Sequence, residues 1–524
     1  MLRKLSLILS TVSHLKMTQI KHQLLYRFQK TKNLNDYKKL YNFKEIVFLD
    51  FNNSPYVYNT YLGNNKFTFL NIKHNFGQEI DWNHQEYGKL WNYNLQYANY
   101  VMQEEISVDE KIRLINHLYE ALVSNKLLLE PYPASLRVIN IIRLFSYKKL
   151  NDANIQKNVY GELQFLSERP EYHLLGNHLL ENAFALLMGG AFFSNNDWIA
   201  QGEKILLEQL DEQILKDGAH FELSPMYHKI ILFRMLELID WYGKYQSHKS
   251  TFLQFLILKT EKMCSWLENI TFQNGDVPHF NDSAIDISYN SKWLIDYARS
   301  LDITWENYPL GESGYRSKNT KVYECRVDFA QIGPSYQPGH AHADALSFIL
   351  YHNDIPVFVE QGTSTYDIGE RRNLERSTSA HNTVVVNNQN QSEVWSGFRV
   401  ARRATTTITN DAEDNIAAYH DGYKKLGVKH YRAFKFKPDN ITILDSLLKK
   451  IDGVFYLHLH PNCTIVQRSS TIFEINSSIK IEFIGSKKVA IEEYLYAYGF
   501  NKYLKSNRLI ICFEDSLKTF ISFN

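Results

Sequence analysis

From about residue 85 to 310 apolar residues recur at three- and four-residue steps, the period of a helix with one buried stripe. VDEKIRLINHLYEALVSNKLLL, HLLENAFALLMGGAFF, WIAQGEKILLEQLDEQIL, KIILFRMLELIDWYGKY and FLILKTEKMCSWLENI all carry it. Short polar or Gly/Pro breaks such as SERPEY, FSNND and KDGAHFELSP separate them. Helices in series with short connections pack as pairs, in a solenoid or in a closed (α/α) toroid. No strict repeat decides between the two. After about residue 315 the period changes. VYECRVDFAQIG, ALSFILYH, IPVFVEQG, NTVVVNNQ, GVKHYRAFKF, NITILDSLLK, GVFYLHLH, KIEFIG and RLIICFE are short β-branched or aromatic runs bounded by Asn, Gly, Asp and Lys. They predict an antiparallel β-sandwich. Pro309, Gly311 and Gly314 mark the change. The expected division is a mixed segment over 1–84 leading into a helical domain over 85–312, then a sandwich over 313–524.

The N-terminus has a basic start and an apolar stretch from Leu5 to Val12, but His14 and Lys16 follow at once and no small-residue cleavage site appears. It reads as an amphipathic first helix rather than an export signal, and the compartment stays open. No run approaches the roughly 18 apolar residues of a membrane span. Lys+Arg 58 against Asp+Glu 57 leaves a net charge of +1, without the global field that nucleic acid or an anionic membrane would attract. An acidic ligand would need a local cluster of cations. The four cysteines form neither a disulfide framework nor a thiolate zinc set, so any metal must be held by His and carboxylate. The 34 tyrosines suit a carbohydrate-lined groove, although A/T-rich coding would also produce them.

Four constellations could carry chemistry. In PGHAHADALSF, His340, His342 and Asp344 alternate, and on a strand they would share one face. Glu360 and His381 follow, so that His342, Glu360 and His381 make a zinc-type ligand set, unless the histidines merely solvate a strand face. In GNHLLEN, Asn177 and His178 stand one turn before Glu181, where a helix cap would use the same residues. In DGAHFELSPMYHKI, Ser224-Pro225 can start a helix. That places Tyr227 in its first turn, where the macrodipole favours a phenolate; His220 and Glu222 lie just before it. The six arginines Arg371, Arg372, Arg376, Arg399, Arg402 and Arg403 offer planar forks for carboxylate or sulfate, or a solvated strand edge. NGDVPHFNDSA adds Asp276, His279, Asn281 and Asp282 in a polar turn.

Together these blocks resemble the heparinase II/III-like polysaccharide lyases, and are also similar to alginate lyases of the same fold. GHAHADALSF, PVFVEQGTSTY, RSTSAHNTVVV and SGFRVARRA look like successive blocks of that family's C-terminal domain; PYPASLRVINII, GNHLLENAFALL and DGAHFELSPMYH look like blocks of its N-terminal domain. The resemblance implies an (α/α) toroid joined to a β-sandwich, acting on uronate polysaccharides by β-elimination. It makes Asn177 and His178 the pair that neutralises the uronate carboxylate, Tyr227 and His340 the acid and base, and His342, Glu360 and His381 the ligands of a mainly structural zinc. Arg371, Arg376, Arg399, Glu181 and His220 are expected as substrate contacts. The chain departs from the family in Glu360-Gln361-Gly362, where Asp-Pro-Gly is common; the extra methylene of Glu360 shifts its carboxylate. Two other readings use the same residues: a polysaccharide-binding protein without turnover, and a zinc hydrolase.

Overall fold

The computed structural model describes residues 2–29, 32–42, 45–52, 57–245 and 250–524. Two short helices, α1 (Leu2–Val12) and α2 (Met17–Phe28), come first, followed by α3 (Leu34–Lys38) and a two-stranded ladder of β1 (Lys66–Phe69) and β2 (Ile72–Asn75). The helical region continues with α4 (Gly88–Gln96), α5 (Val108–Val123), α6 (Pro131–Lys148), α7 (Ala153–Glu168), α8 (Gly176–Phe192) and α9 (Asn196–Gln213), then α10 (Pro225–Tyr245), α11 (Thr251–Ile270) and α12 (Ser291–Ser300). Each periodic run of the sequence falls in one of these helices. Their starts are chemically marked: Ser107, Asp152, Asn195, Ser250 and Asn290 each accept hydrogen bonds from backbone amides of the first turn, and Pro131 opens α6. Helices α8 and α9 approach closely because Gly190 lacks a side chain; a Cβ there would lie 2.8 Å from the Ile199 backbone nitrogen. Buried charge ties the helices together. The Arg137 guanidinium of α6 is paired with Glu162 of α7, whose carboxylate also accepts from Tyr119 of α5 at 2.9 Å.

The C-terminal region is antiparallel sheet. Strands β3 (Tyr315–Asn319), β4 (Tyr323–Asp328), β5 (Phe348–His352) and β6 (Ile355–Phe358) pair in that order. Strand β5 shows why both of its faces are apolar. Phe348 and Leu350 enter the core of the sheet region, whereas Ile349 and Tyr351 enter the core of the helices. This small sheet therefore lies between the helices and a larger antiparallel sheet. The larger sheet is built around the long hairpin Ile479–Ala497 and Tyr503–Phe523, flanked by Asn440–Ser446 on one side and Ile472–Ile475 on the other. The hairpin tip reaches back to the N-terminal ladder, where Asn71 Nδ2 donates to Phe500 O at 2.9 Å.

Two sequence expectations shift. His340, His342 and Asp344 sit in an irregular loop between β4 and β5 rather than on a strand, so backbone hydrogen bonds and not the pleat decide where they point. Within the mixed N-terminal segment, residues 45–52 form no strand, whereas KFTFLNI supplies β1 and the start of β2. Arg371 and Arg372 lie on a short helix, α13 (Glu370–Glu375), not on a strand edge.

Candidate active site

The start of α8 is bent into place. Leu175 has φ +65° and Gly176 φ +58°, both in the left-handed region. A Cβ on Gly176 would meet Gln337 Oε1 at 2.0 Å and Glu222 Oε1 at 2.8 Å, so only glycine lets the helix start touch these two side chains. The bend sets Asn177, whose amide N donates to Glu222 Oε1 at 3.3 Å, next to His178 at the mouth of a cavity. Asn177 Oδ1, Glu222 Oε2 and Gln337 Oε1 are buried there without a hydrogen-bond partner among the described residues. His178 Nδ1 meets Glu171 Oε1 at 3.1 Å, and its ring lies against Tyr132 at 4.3 Å.

Tyr227 is the third residue of α10, held by its amide N donating to Ser224 Oγ at 3.2 Å. Its ring stacks on His340 at 4.0 Å, and its hydroxyl lies 3.3 Å from the hydroxyl of Tyr366. Burial pushes the Tyr227 phenol well above its ordinary value, and the neighbouring Tyr366 and Tyr132 push it further. The shift runs opposite to the phenolate that the helix terminus was expected to favour. His340 Nδ1 donates to Asp282 Oδ2 at 2.8 Å, which leaves Nε2 facing Glu222 Oε2 at 3.7 Å.

Asp282 is the hub beneath this pair. Its carboxylate takes both Arg372 Nη groups, His340 Nδ1, and His342 Nε2 at 2.8 Å. Burial alone would raise its carboxyl, but Arg372 and the two histidines hold it well below the usual carboxylate range. The other side of His342 faces a second group. His342, Asp344 and His381 are buried, and their ligand atoms lie within 4.8 Å of one another. His342 Nδ1, Asp344 Oδ2 and His381 Nε2 have no hydrogen-bond partner among the described residues. Three converging unpartnered atoms of this chemistry could hold a metal ion. Burial pushes His342 down to about 3 and Asp344 up to about 6. Glu360 is displaced from the set expected for it: it accepts from Ser347 Oγ and pairs with His381 Nδ1. It lies outside the group, placed where it could orient His381.

The remaining expected contacts divide. Arg399 lines the cavity, with its guanidinium over Trp395 at 5.0 Å. Arg371 pairs with Glu375 at 2.6 Å, and Arg376 donates to the carbonyls of Ala341 and Gly397, so both are engaged within the protein. Glu181 is paired with Arg234 at 3.0 Å on an inner cavity of about 300 Å³ that also meets Tyr227. His220 is buried, bonded to Gln213 at 3.0 Å, and burial drives its imidazole far below the ordinary value. Tyr366, Tyr132 and Glu171 were not singled out by sequence, since no periodicity or spacing marks them.

Asn177, His178, Tyr227, His340 and Tyr366 share one cavity of about 850 Å³, within the usual range for ligand pockets. Ile8, Val12, Leu15, Ile20 and Leu24 of the α1–α2 segment complete it. This segment is fastened to both regions. Thr11 Oγ1 accepts from Trp395 Nε1 at 3.2 Å, and Tyr26 OH donates to Pro170 O at 2.6 Å.

The start of α8, the first turn of α10 and the loop carrying His340 thus meet at one cavity between the helical and sheet regions. Residues 148–306 match the heparinase II/III N-terminus and residues 304–523 the heparinase II/III-like C-terminal domain. The chain belongs to the heparinase II/III-like family. It is 25% identical to a heparin-sulfate lyase of Bacteroides stercoris over 367 residues, which is 62% of this chain and 52% of that protein. The chain thus spans about half the length of the curated relatives it matches. Among solved structures, a heparinase III superposes with a TM-score of 0.60 at 19% identity, covering 86% of this chain and 81% of that one. The heparan sulfate lyase HepC of Pedobacter heparinus does so with a TM-score of 0.56 at 17% identity, covering 88% and 81%.

Proposed function

We propose that the protein is a polysaccharide lyase that cleaves a uronate-containing polymer by β-elimination. The observation that carries this reading is the meeting of Asn177, His178, Tyr227 and His340 at one cavity. The C5 proton of a uronate is too weakly acidic to lose until its carboxylate is neutralised, and donors from Asn177 and His178 supply that stabilisation. His340, with Nδ1 committed to Asp282, presents Nε2 as the base that takes the C5 proton. The C4–O4 bond breaks, the C4–C5 double bond forms, and the protonated Tyr227 phenol gives its proton to the departing O4. Arg399 is the cation of the expected set placed to meet a substrate group at the cavity.

The architecture follows the same reading: α4 to α12 form an (α/α) toroid and the sheets a β-sandwich, divided near residue 312. Support comes from the pairing of successive helices around the inner cavity and from the two-faced burial of β5. The heparin-sulfate lyase relatives make a glycosaminoglycan the first substrate to try, with alginate after it. Incubation with heparan-type, hyaluronan and alginate polymers should release an unsaturated product absorbing in the ultraviolet from at least one. Binding of such a polymer without any absorbance would favour a binding protein and sink the lyase reading.

The metal we assign to His342, Asp344 and His381 is zinc in a structural role. Bound there, it would fix the loop that carries His340 and polarise no substrate group, since all three ligands are 3% exposed or less. A hydrolase would need an open coordination position at the substrate, and the burial of this group disfavours that reading. Asp344→Asn should abolish stoichiometric zinc in the purified protein. Glu360→Gln should weaken zinc affinity only about 10–100-fold. Competition with a chromogenic chelator reads both, and the opposite ranking would return Glu360 to the ligand set.

A further inference from the structure

His178 is expected to donate a hydrogen bond to a substrate carboxylate, yet its geometry allows this in only one protonation state. Nδ1 faces Glu171 Oε1 at 3.1 Å, so the proton of a neutral ring belongs on Nδ1. A neutral ring so held would turn the lone pair of Nε2 toward the cavity, which repels a carboxylate. Only the imidazolium donates on both sides. Glu171 is built to favour it. The residue is 4% exposed, its backbone N donates to Asn182 Oδ1 at 2.7 Å, and its second oxygen accepts from Asn182 Nδ2 at 3.0 Å. Asn182 is itself buried on α8 and donates to Ser135 Oγ at 3.0 Å, so the carboxylate cannot swing away.

We propose that Glu171 is a positioning residue, holding the His178 imidazole by Nδ1 so that it meets the substrate carboxylate as a two-donor cation. The inference rests on the lyase reading for what Nε2 faces, but not for the state of the ring. Glu222 across the cavity and Glu181 one turn along α8 favour the cation, and His173, in the segment before α8, opposes it weakly. Tyr132 of α6 packs on the ring, Lys89 and Tyr93 of α4 line the same cavity, and the α2 side chains there are uncharged. Burial pulls the His178 imidazole down, but Glu171 outweighs it and the net shift is upward; Glu171 is held correspondingly low.

The test uses the full chain with isotopically labelled histidine, His178 being assigned by its loss in His178→Gln. In the unaltered protein His178 should titrate above the ordinary value of about 6.5. In Glu171→Gln, which keeps the side-chain shape and the Asn182 contacts, it should titrate at least about one unit lower, a tenfold change in proton affinity. Thermal stability should stay close to that of the parent; a merely structural contact would not shift the titration. A His178 titration below the ordinary value in the parent, or unchanged in Glu171→Gln, would overturn the proposal. If no uronate polymer yields unsaturated product, the lyase reading fails, while the two titrations still decide the role of Glu171.

Discussion

Replacing Tyr227 by Phe should lower kcat by about 10²–10⁴-fold while leaving KM nearly unchanged, the signature of a proton transfer made only in the transition state. The substitution removes one oxygen and keeps the ring that stacks on His340 at 4.0 Å, so the cavity keeps its wall. The hydroxyl it removes meets Tyr366 at 3.3 Å, a long contact between two neutral groups. Stability should therefore change by no more than the roughly 0.5–1.5 kcal/mol of a single hydrogen bond. The direction of the phenol's shift gives this prediction its content. Burial raises the Tyr227 phenol, which suits the proposed role of acid to the leaving group and not that of base. Turnover by the Tyr227→Phe variant at the parental rate would remove Tyr227 from the reaction.

Asp282→Asn should damage both stability and turnover, and the two losses can be separated. The Asp282 and Arg372 side chains are fully buried, so loss of the carboxylate strands a guanidinium in the interior. Breaking one side of a buried pair typically costs about 3–5 kcal/mol, to be read by chemical denaturation. The double variant Asp282→Asn/Arg372→Met removes both charges and should recover much of that stability. Turnover should stay low in both variants, because His340 has lost the carboxylate that fixes its Nδ1 and leaves Nε2 free. Recovery of kcat together with stability in the double variant would show that Asp282 matters only for charge balance.

The helices and strands were readable because their periods, 3.6 and 2, follow directly from which faces are buried, and the breaks between them carry caps and prolines. The His340 block was readable as a site, though on the wrong ground. Its alternation suggested a strand face, whereas the chain there is a loop pinned by bonds such as His342 N to Asn281 Oδ1 at 2.9 Å. Partners distant in sequence were the illegible part. Nothing in ERRNLER says that Arg372 will find Asp282, 90 residues away, or that Arg376 will spend its donors on carbonyls. Spacing alone could not say whether Asp344 or Glu360 stands with His342 and His381 either, because that depends on which carboxylate His381 turns its Nδ1 toward, and in the fold it is Glu360. Glu171 left no trace, since a single acid in a loop has no pattern.

Strand β5, with Ile349 and Tyr351 in one core and Phe348 and Leu350 in the other, has a consequence for how the molecule comes apart. Neither core can lose its contacts without exposing one face of a strand that the other still needs. The helical and sheet regions are then not two stabilities placed side by side but one cooperative unit. Damage in either is felt across the seam, where the cavity also lies.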